Sequence, residues 1–538
     1  MTISLFPTLR GYRRAWIGPD AVAGISAGAV VIPQAMAYAT IADLPVQIGL
    51  YTCMVPMVVY AALGGSRAMS VSTTSTIATL TATTLVAAGV AAGSDDPTRA
   101  LSSLTLLVGV ILVLARVLRI GGLVENISHA TLTGIKVGLG ATVALGQVPK
   151  LLGEDVEVSG HGFFRTLNAT IAAIPHAHLA TVIFALATLA VLYGLRRVAP
   201  RVPGPLVVVV VGILLAAFTG LTDAGVRLID PVPTGLPVPS LPDVSLLGDL
   251  IPGALAIAIM AFLESASVAR GIRKAGDPQI DSNQELFATG GANLVSAFFG
   301  AIPAAGGFSQ SAVNQRAGAK SQAASLVTVA LAVLVALLLA PVLSYLPQAT
   351  LAAMVFIAVV GLIDVKGLLR LWRVSRIEFW IAAVTAAIGL AAGLIAAVAA
   401  GVIFTLALVL HELNKPRIAV STAGDGILLV KLEVALYTAN VLATTTAIES
   451  AVTERTADSD GAVSVLMLDA EAMLITTVTV LDTLAELDDE LAAMGVRLEI
   501  AALAGEALAL ARKLRWWQRL DAEGRTFSSV AEAVAAHR

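Results

Sequence analysis

From residue 20 to residue 412 the chain alternates apolar runs with short polar joints. About twenty apolar residues carry a helix across a bilayer. Runs of that kind, several of them shorter, fall near 20–40, 48–63, 71–90, 100–118, 127–148, 178–195, 204–220, 250–269, 286–300, 306–318, 323–345, 347–363, 377–392 and 394–412, fourteen in all. Only "GLAAG" at 389–393 divides the last two, so the pattern supports twelve to fourteen crossings. Beyond residue 414 the periodicity changes. "GILLVKLEV", "VSVLMLDA" and "VRLEIAAL" read as buried strands, while "VTVLDTLAELDDELAAMG" and "FSSVAEAVAAH" carry helical spacing. The pattern predicts a polytopic α-helical membrane domain over 1–414 and a small α/β domain over 415–538.

Two of the predicted spans are interrupted by polar residues. "AMSVSTTSTIATL" at 68–80 holds seven hydroxyl side chains in thirteen positions. "IPAAGGFSQSAVN" at 302–314 breaks at Pro303 and at Gly306–Gly307 before Ser309, Gln310 and Ser311 begin a new helix. Irregular backbone at membrane depth persists only where protein or a watery cavity satisfies it. In the first stretch Ser70–Ser72 fits a short extended piece, with Ser72 or Thr73 capping the helix that follows. The segments occupy the third and tenth runs, seven apart. Equivalent broken segments in two halves mark an inverted-repeat transporter whose half-helix N-termini meet near the midplane. Free N–H groups and the positive ends of two helix dipoles favour an anion there. The competing reading is that the hydroxyls only join helices.

Three further residues stand out. Gln34 and Tyr38 in "VVIPQAMAYA" lie four apart, hence on one helix face. Glu264 in "IMAFLESASVA" is an ionisable group inside an apolar run, which by default marks an ion or proton path. Lys136 in "LTGIKVGLG" is a basic residue inside a run; it can balance Glu264, neutralise a substrate, or snorkel to an edge.

Composition agrees with a membrane protein: 57% of the 538 residues are hydrophobic and 13% charged, too apolar for a string of soluble domains. The charges also orient the chain. Cytoplasmic loops collect Lys and Arg, and an N-terminus inside puts eighteen of them on the cytoplasmic side against four outside, where "GSDDP" and "GEDVEVSG" also lie. An even number of crossings leaves the tail in the cytoplasm, where its 18 acidic residues outnumber 11 basic ones. The first nineteen residues lack the apolar core of a cleavable signal. Cys53, the one cysteine, excludes an intrachain disulfide. The six histidines show no ligand spacing and no phosphate-binding glycine loop occurs, so no metal, cofactor, nucleic acid or catalytic residue is predicted.

The opening "GPDAVAGISAGAVVIPQAMAYATIADLPVQIGLYTCMVPMVVYAALGGSRAMSV", with "DPQIDSNQELFATGGAN" and "SAVNQRAGAK", resembles the SulP, or solute carrier 26, family of anion transporters. The acidic tail resembles that family's STAS domain. The resemblance implies fourteen spans as two inverted repeats of seven, a core domain moving against a gate domain, a homodimer in the inner membrane, and a small inorganic or organic anion as substrate. Sulfate, bicarbonate, chloride and dicarboxylates are the candidates. By the same resemblance Gln34, Tyr38 and Ser309 face substrate and Glu264 sits at the position linked to cation coupling, while the two polar breaks themselves add Ser72, Thr73, Thr74, Gln310 and Ser311 to the expected anion site. The departures are specific. Ser72–Thr74 replace the family's usual Gly-Pro-apolar start, and Gln310 stands where many members carry arginine. Val268 stands where sodium-dependent members place a threonine, which favours a proton over sodium. Thr479 falls near the phosphorylatable position of regulatory STAS domains, with Thr477 where an acid often stands. A membrane sensor signalling through the tail, and a nucleobase-type permease on the same fold, are the alternatives.

Overall fold

The computed structural model describes residues 5–538 apart from 91–96, 120–128, 155–161, 201, 275, 362, 425 and 459–462. Arg201, much of the loops "GSDDP" and "GEDVEVSG", and the first residues of the run 127–148 lie outside the described residues. The chain divides into two compact units, Met1–Thr405 and Leu406–Arg538.

In the first unit each of the fourteen predicted runs contains a helix. Eight helical stretches among the described residues are long and apolar enough to cross a membrane, and Ser75–Ala87 and Gly204–Phe218 are shorter apolar helices. Two of the runs are broken just before a proline. The run 48–63 is divided into Val46–Thr52 and Val55–Leu63, with Pro56 in the first turn of the second helix, where its missing N–H costs nothing. The run 323–345 holds Ala323–Leu334, a π-helical stretch Val335–Leu339 and then Ala340–Leu343, which carries Pro341 in its first turn. Phe163–Ala173 and Val365–Val374 are helices outside the predicted runs.

Glycine sets the closest helix contacts, as expected where no hydrophobic effect drives helices together in lipid. A methyl group at Gly109 would lie 2.6 Å from the Leu294 amide nitrogen. Gly24 faces the Ala324 carbonyl and Gly134 the Ala382 carbonyl with no more room. Hence Ile17–Ala39 lies on Ala323–Leu334, Pro97–Val117 on Ser282–Ser296, and His129–Leu152 on Arg376–Ala391.

Two short strands complete this unit. Val71–Ser72 (β1) pairs antiparallel with Ala305–Gly306 (β2), Val71 opposite Gly306 and Ser72 opposite Ala305. Each strand is followed within a few residues by a helix, Ser75–Ala87 and Phe308–Arg316.

The second unit is a five-stranded sheet, β3 (Ile418–Gly424), β4 (Ile427–Leu432), β5 (Val465–Asp469), β6 (Arg497–Ala501) and β7 (Thr526–Phe527), in that order. β3 and β4 are antiparallel and the remaining pairs parallel. Alternation along β4 sends Leu428, Val430 and Leu432 to one face, where they meet Ile448, Leu481 and Leu484 from the helices Val441–Asp458 and Val478–Ala493. Ile427 faces the other side, with Met467 and Ala533. Both faces of the parallel strands are therefore covered, and all five residues of β5 are buried. The sequence reading missed β3, whose residues are mostly exposed, and the threonine-rich helix Val441–Asp458.

Candidate functional site

The β1–β2 crossing is tied from three sides. Ser70 N–H donates to Ser311 Oγ at 2.9 Å, and Gly307 N–H donates to the Ser70 carbonyl at 3.1 Å. Gly306 N–H donates to Ser265 Oγ at 2.9 Å, which fastens β2 to the helix Leu247–Gly271 beside Glu264. Asn293 holds the approach to β2: its side chain accepts from Ala304 N–H at 2.8 Å and donates to the Ala304 carbonyl at 3.0 Å. Gln322 Nε2 donates to the carbonyls of Ser66 and Met69, fixing the approach to β1. Each of these side chains replaces a backbone partner that an extended chain in an apolar surround lacks.

The two helices leaving the crossing begin differently. Thr74 caps Ser75–Ala87, its Oγ1 accepting from Ile77 N–H at 3.3 Å. The same hydroxyl donates to Glu264 Oε2 at 2.8 Å. Glu264 is 7% exposed. Sequence reasoning put the cap at Ser72 or Thr73; extended backbone through Thr74 moves it one position along. Phe308–Arg316 has Gly307 as its N-cap and no side-chain cap. Phe308 and Ser309 are exposed, while Gln310 and Ser311 are buried. The Gln310 amide folds back over Gly307, and its Nε2 has no hydrogen-bond partner.

The other expected residues gather here in part. Tyr38 is buried, beside Ser75 and Glu264. Gln34 turns a buried Oε1 with no partner. Ser72 is fully buried and meets Cys53 Sγ at 3.6 Å, and Thr73 Oγ1 is buried and unpartnered. Lys136 Nζ stands 5.6 Å from the Phe308 ring centroid, at the uncapped helix start, and its charge also reaches Glu264. The crossing thus offers buried or half-buried donors on Thr73, Gln310 and Lys136, two helix N-termini, and one carboxyl group. A separate cavity of about 400 Å³ lies toward the far end of Ser75–Ala87, lined by Thr79, Thr83, Thr142, Thr166 and Gln147.

In the first unit two buried acids among the described residues escaped the sequence reading. Asp20 Oδ1 accepts from Lys320 and Ser321 N–H, and its Oδ2 from Ser321 Oγ at 2.7 Å. Glu285 accepts from Tyr60 OH at 2.8 Å and from Gly65 N–H at 3.1 Å. Both brace the connections flanking the crossing. Their signal was present as acids in "GPDAVAG" and "DSNQELFATGG", next to apolar helix.

Residues 18–385 match the sulfate permease family. The chain belongs to that family. A probable sulfate transporter of Mycobacterium tuberculosis is 35% identical over 409 residues, covering 75% of this chain and 72% of that protein. The chloroplastic sulfate transporter 4.1 of Arabidopsis thaliana is 31% identical over 470 residues, covering 81% of this chain and 68% of that one. Among solved structures, the murine Slc26a9 anion transporter in its inward-facing state aligns with a TM-score of 0.89 at 21% identity, over 99% of this chain and 93% of that chain. The transmembrane domain of a cyanobacterial bicarbonate transporter, BicA, aligns with a TM-score of 0.64 at 22% identity, over 72% of this chain and 98% of that chain. These two likenesses show a shared fold. As a sulfate permease family member the protein is a multi-pass membrane transporter of anions and not an enzyme, and its C-terminal unit is a small α/β sheet consistent with the expected STAS domain.

Proposed function

We propose that the protein is a secondary active, proton-coupled transporter of an oxyanion or carboxylate of the sulfate, bicarbonate or dicarboxylate class, with its anion site at the β1–β2 crossing. The pairing of Val71–Ser72 with Ala305–Gly306 carries this reading, because it brings two half-helix starts together. Gln34, Tyr38, Ser72, Thr73, Ser309, Gln310 and Ser311 surround the anion in this reading, and Lys136 contributes positive charge from the facing helix. Thr74 holds Glu264. The sulfate transporters of M. tuberculosis and Arabidopsis and the bicarbonate transporter fold favour the same class of substrate.

Coupling follows from charge. Ionised, Glu264 accepts a hydrogen bond from the Thr74 hydroxyl and opposes an anion at the crossing. Two like charges roughly 8 Å apart repel by about 2 kcal/mol at an effective dielectric of about 20. Protonation removes that repulsion, so proton and anion each favour binding of the other. Movement of a core domain against a gate domain then carries both inward. In this reading the transport domain is 1–414, the STAS domain is 415–538, both termini are cytoplasmic, the membrane is the inner one, and the protein works as a homodimer. Thr479, exposed in the first turn of Val478–Ala493, is open to a kinase.

Uptake into proteoliposomes tests the reading. Labelled sulfate, bicarbonate, chloride, succinate and fumarate are offered with and without an inward proton gradient. At least one is expected to enter faster with the gradient. No uptake of any anion would overturn the assignment, and uptake indifferent to the gradient would remove the coupling alone.

A further inference from the structure

We propose that the helix Val365–Val374 lies in the membrane interface and binds the headgroups of anionic phospholipids through Lys366, Arg370 and Arg373. The inference rests on the membrane fold and not on the transport mechanism. The helix joins two apolar helices, Gln348–Val360 and Arg376–Ala391.

Wound at about 3.6 residues per turn, "VKGLLRLWRV" sorts into three adjoining faces. Leu368 and Leu371 pack against Ala130, Phe379 and Ala382, which fixes the face turned to protein. Val365, Leu369 and Trp372 form the next stripe, 56%, 52% and 41% exposed. Lys366, Arg373 and Arg370 follow, all exposed, and no acidic side chain among the described residues pairs with them. The nearby acids are engaged at helix starts. Asp364 accepts from Gly367 N–H at 2.8 Å, and Glu378 lies in the first turn of its own helix, where the dipole favours it. Arg376 is stacked on Trp372 at 3.5 Å, and Trp372, Phe379 and Trp380 form an edge-to-face aromatic cluster.

Water leaves the apolar stripe unsatisfied, and hydrocarbon cannot hold three unpaired cations. The headgroup boundary accommodates both, and aromatic side chains concentrate there. An uncharged headgroup would serve the apolar stripe equally well. Three cations on the adjacent face select negative charge, each multiplying affinity for an anionic surface about fivefold.

Native mass spectrometry of the full chain in detergent, with phosphatidylglycerol and phosphatidylcholine added in equal amounts, tests this. The wild type is expected to retain phosphatidylglycerol preferentially. Lys366→Gln, Arg370→Gln and Arg373→Gln together are expected to lower that preference roughly a hundredfold at this site, while the charge-keeping set Lys366→Arg, Arg370→Lys and Arg373→Lys preserves it. Should the triple variant not fold, each single Gln substitution is expected to lower the preference about fivefold. Equal lipid ratios for wild type and Gln variants would overturn the proposal. So would equal competition by soluble glycerol phosphate, which would indicate a free-anion site rather than a lipid.

Discussion

The two halves of the β1–β2 crossing are alike in backbone and unlike in chemistry. The helix start at Ser75 is closed: Thr74 caps it, and the same hydroxyl is committed to Glu264. The start at Phe308 is open, with a glycine cap, an exposed Ser309, an unpartnered Gln310 amide and Lys136 standing by. On the proposed function the first half senses a proton and the second holds an anion. In that reading the paired strands supply two similar frames, and a few side chains divide the labour between them.

The largest effect is expected from forcing the halves apart. A methyl group at Gly306 would lie 2.5 Å from Met69 Sδ and 3.0 Å from Ser265 Cα, and the second of these is backbone that cannot swing aside. Gly306→Ala is expected to cost 1–3 kcal/mol, about the usual cost of overpacking, with uptake down at least tenfold and a lower melting temperature in detergent. Wild-type uptake and melting would mean the crossing tolerates separation. Next in size, Glu264→Gln isolates the closed half. Anion binding is expected to survive, while acceleration by an inward proton gradient disappears. If Glu264 only balances Lys136, the variant will instead express poorly and Lys136→Met will restore it.

A paired measurement then separates the halves directly. Gln310→Ala removes a free donor from the open half and is expected to raise the KM for the transported anion about five- to tenfold, with melting unchanged. Thr74→Ala is expected to lower stability by about 1 kcal/mol through the lost cap and to blunt the gradient response, with a smaller change in KM. Reversed outcomes would exchange the roles assigned to the two halves.

The smallest effect guards against attributing every pH effect to Glu264. In the C-terminal unit the Glu449 carboxyl lies beside that of Glu490, and hydrogen bonding to it, with burial and the neighbouring charge, raises the Glu449 pKa from the ordinary 4.5 to about 7. A carboxyl group whose folded value is raised contributes stability that is complete below about pH 4.5 and lost as pH climbs through about 7. The fragment 415–538 is thus expected to melt at a modestly higher temperature near pH 5 than near pH 8. Glu449→Gln should flatten that difference and leave the gradient dependence of uptake by the full chain intact. An unchanged pH profile in the fragment would remove the carboxyl pair as its source.

Apolar runs were legible because burial in lipid demands them along the whole length of a segment: each of the fourteen contains a helix. Both interrupted segments were legible for the converse reason, since serine, threonine and glycine clusters at membrane depth need a special place. The amphipathic helices Phe163–Ala173 and Val365–Val374 were missed because half of each faces away from the apolar interior, which breaks the run without a turn signal. β3 was missed because an exposed edge strand has no buried face to imprint alternation.

Local sequence determined which segments are apolar enough to form membrane helices, that two of them are interrupted by polar residues, and that these interruptions lie seven runs apart, because these depend on neighbours along the chain. Tertiary structure alone decided which polar group serves which. That Thr74 rather than Ser72 or Thr73 meets Glu264, that Ser311 holds Ser70, and that Asp20 and Glu285 are braces rather than loop acids all depend on contacts between residues far apart in sequence. A buried donor or acceptor takes the partner that packing brings within about 3 Å, and periodicity along one segment carries no record of what the opposing segment presents.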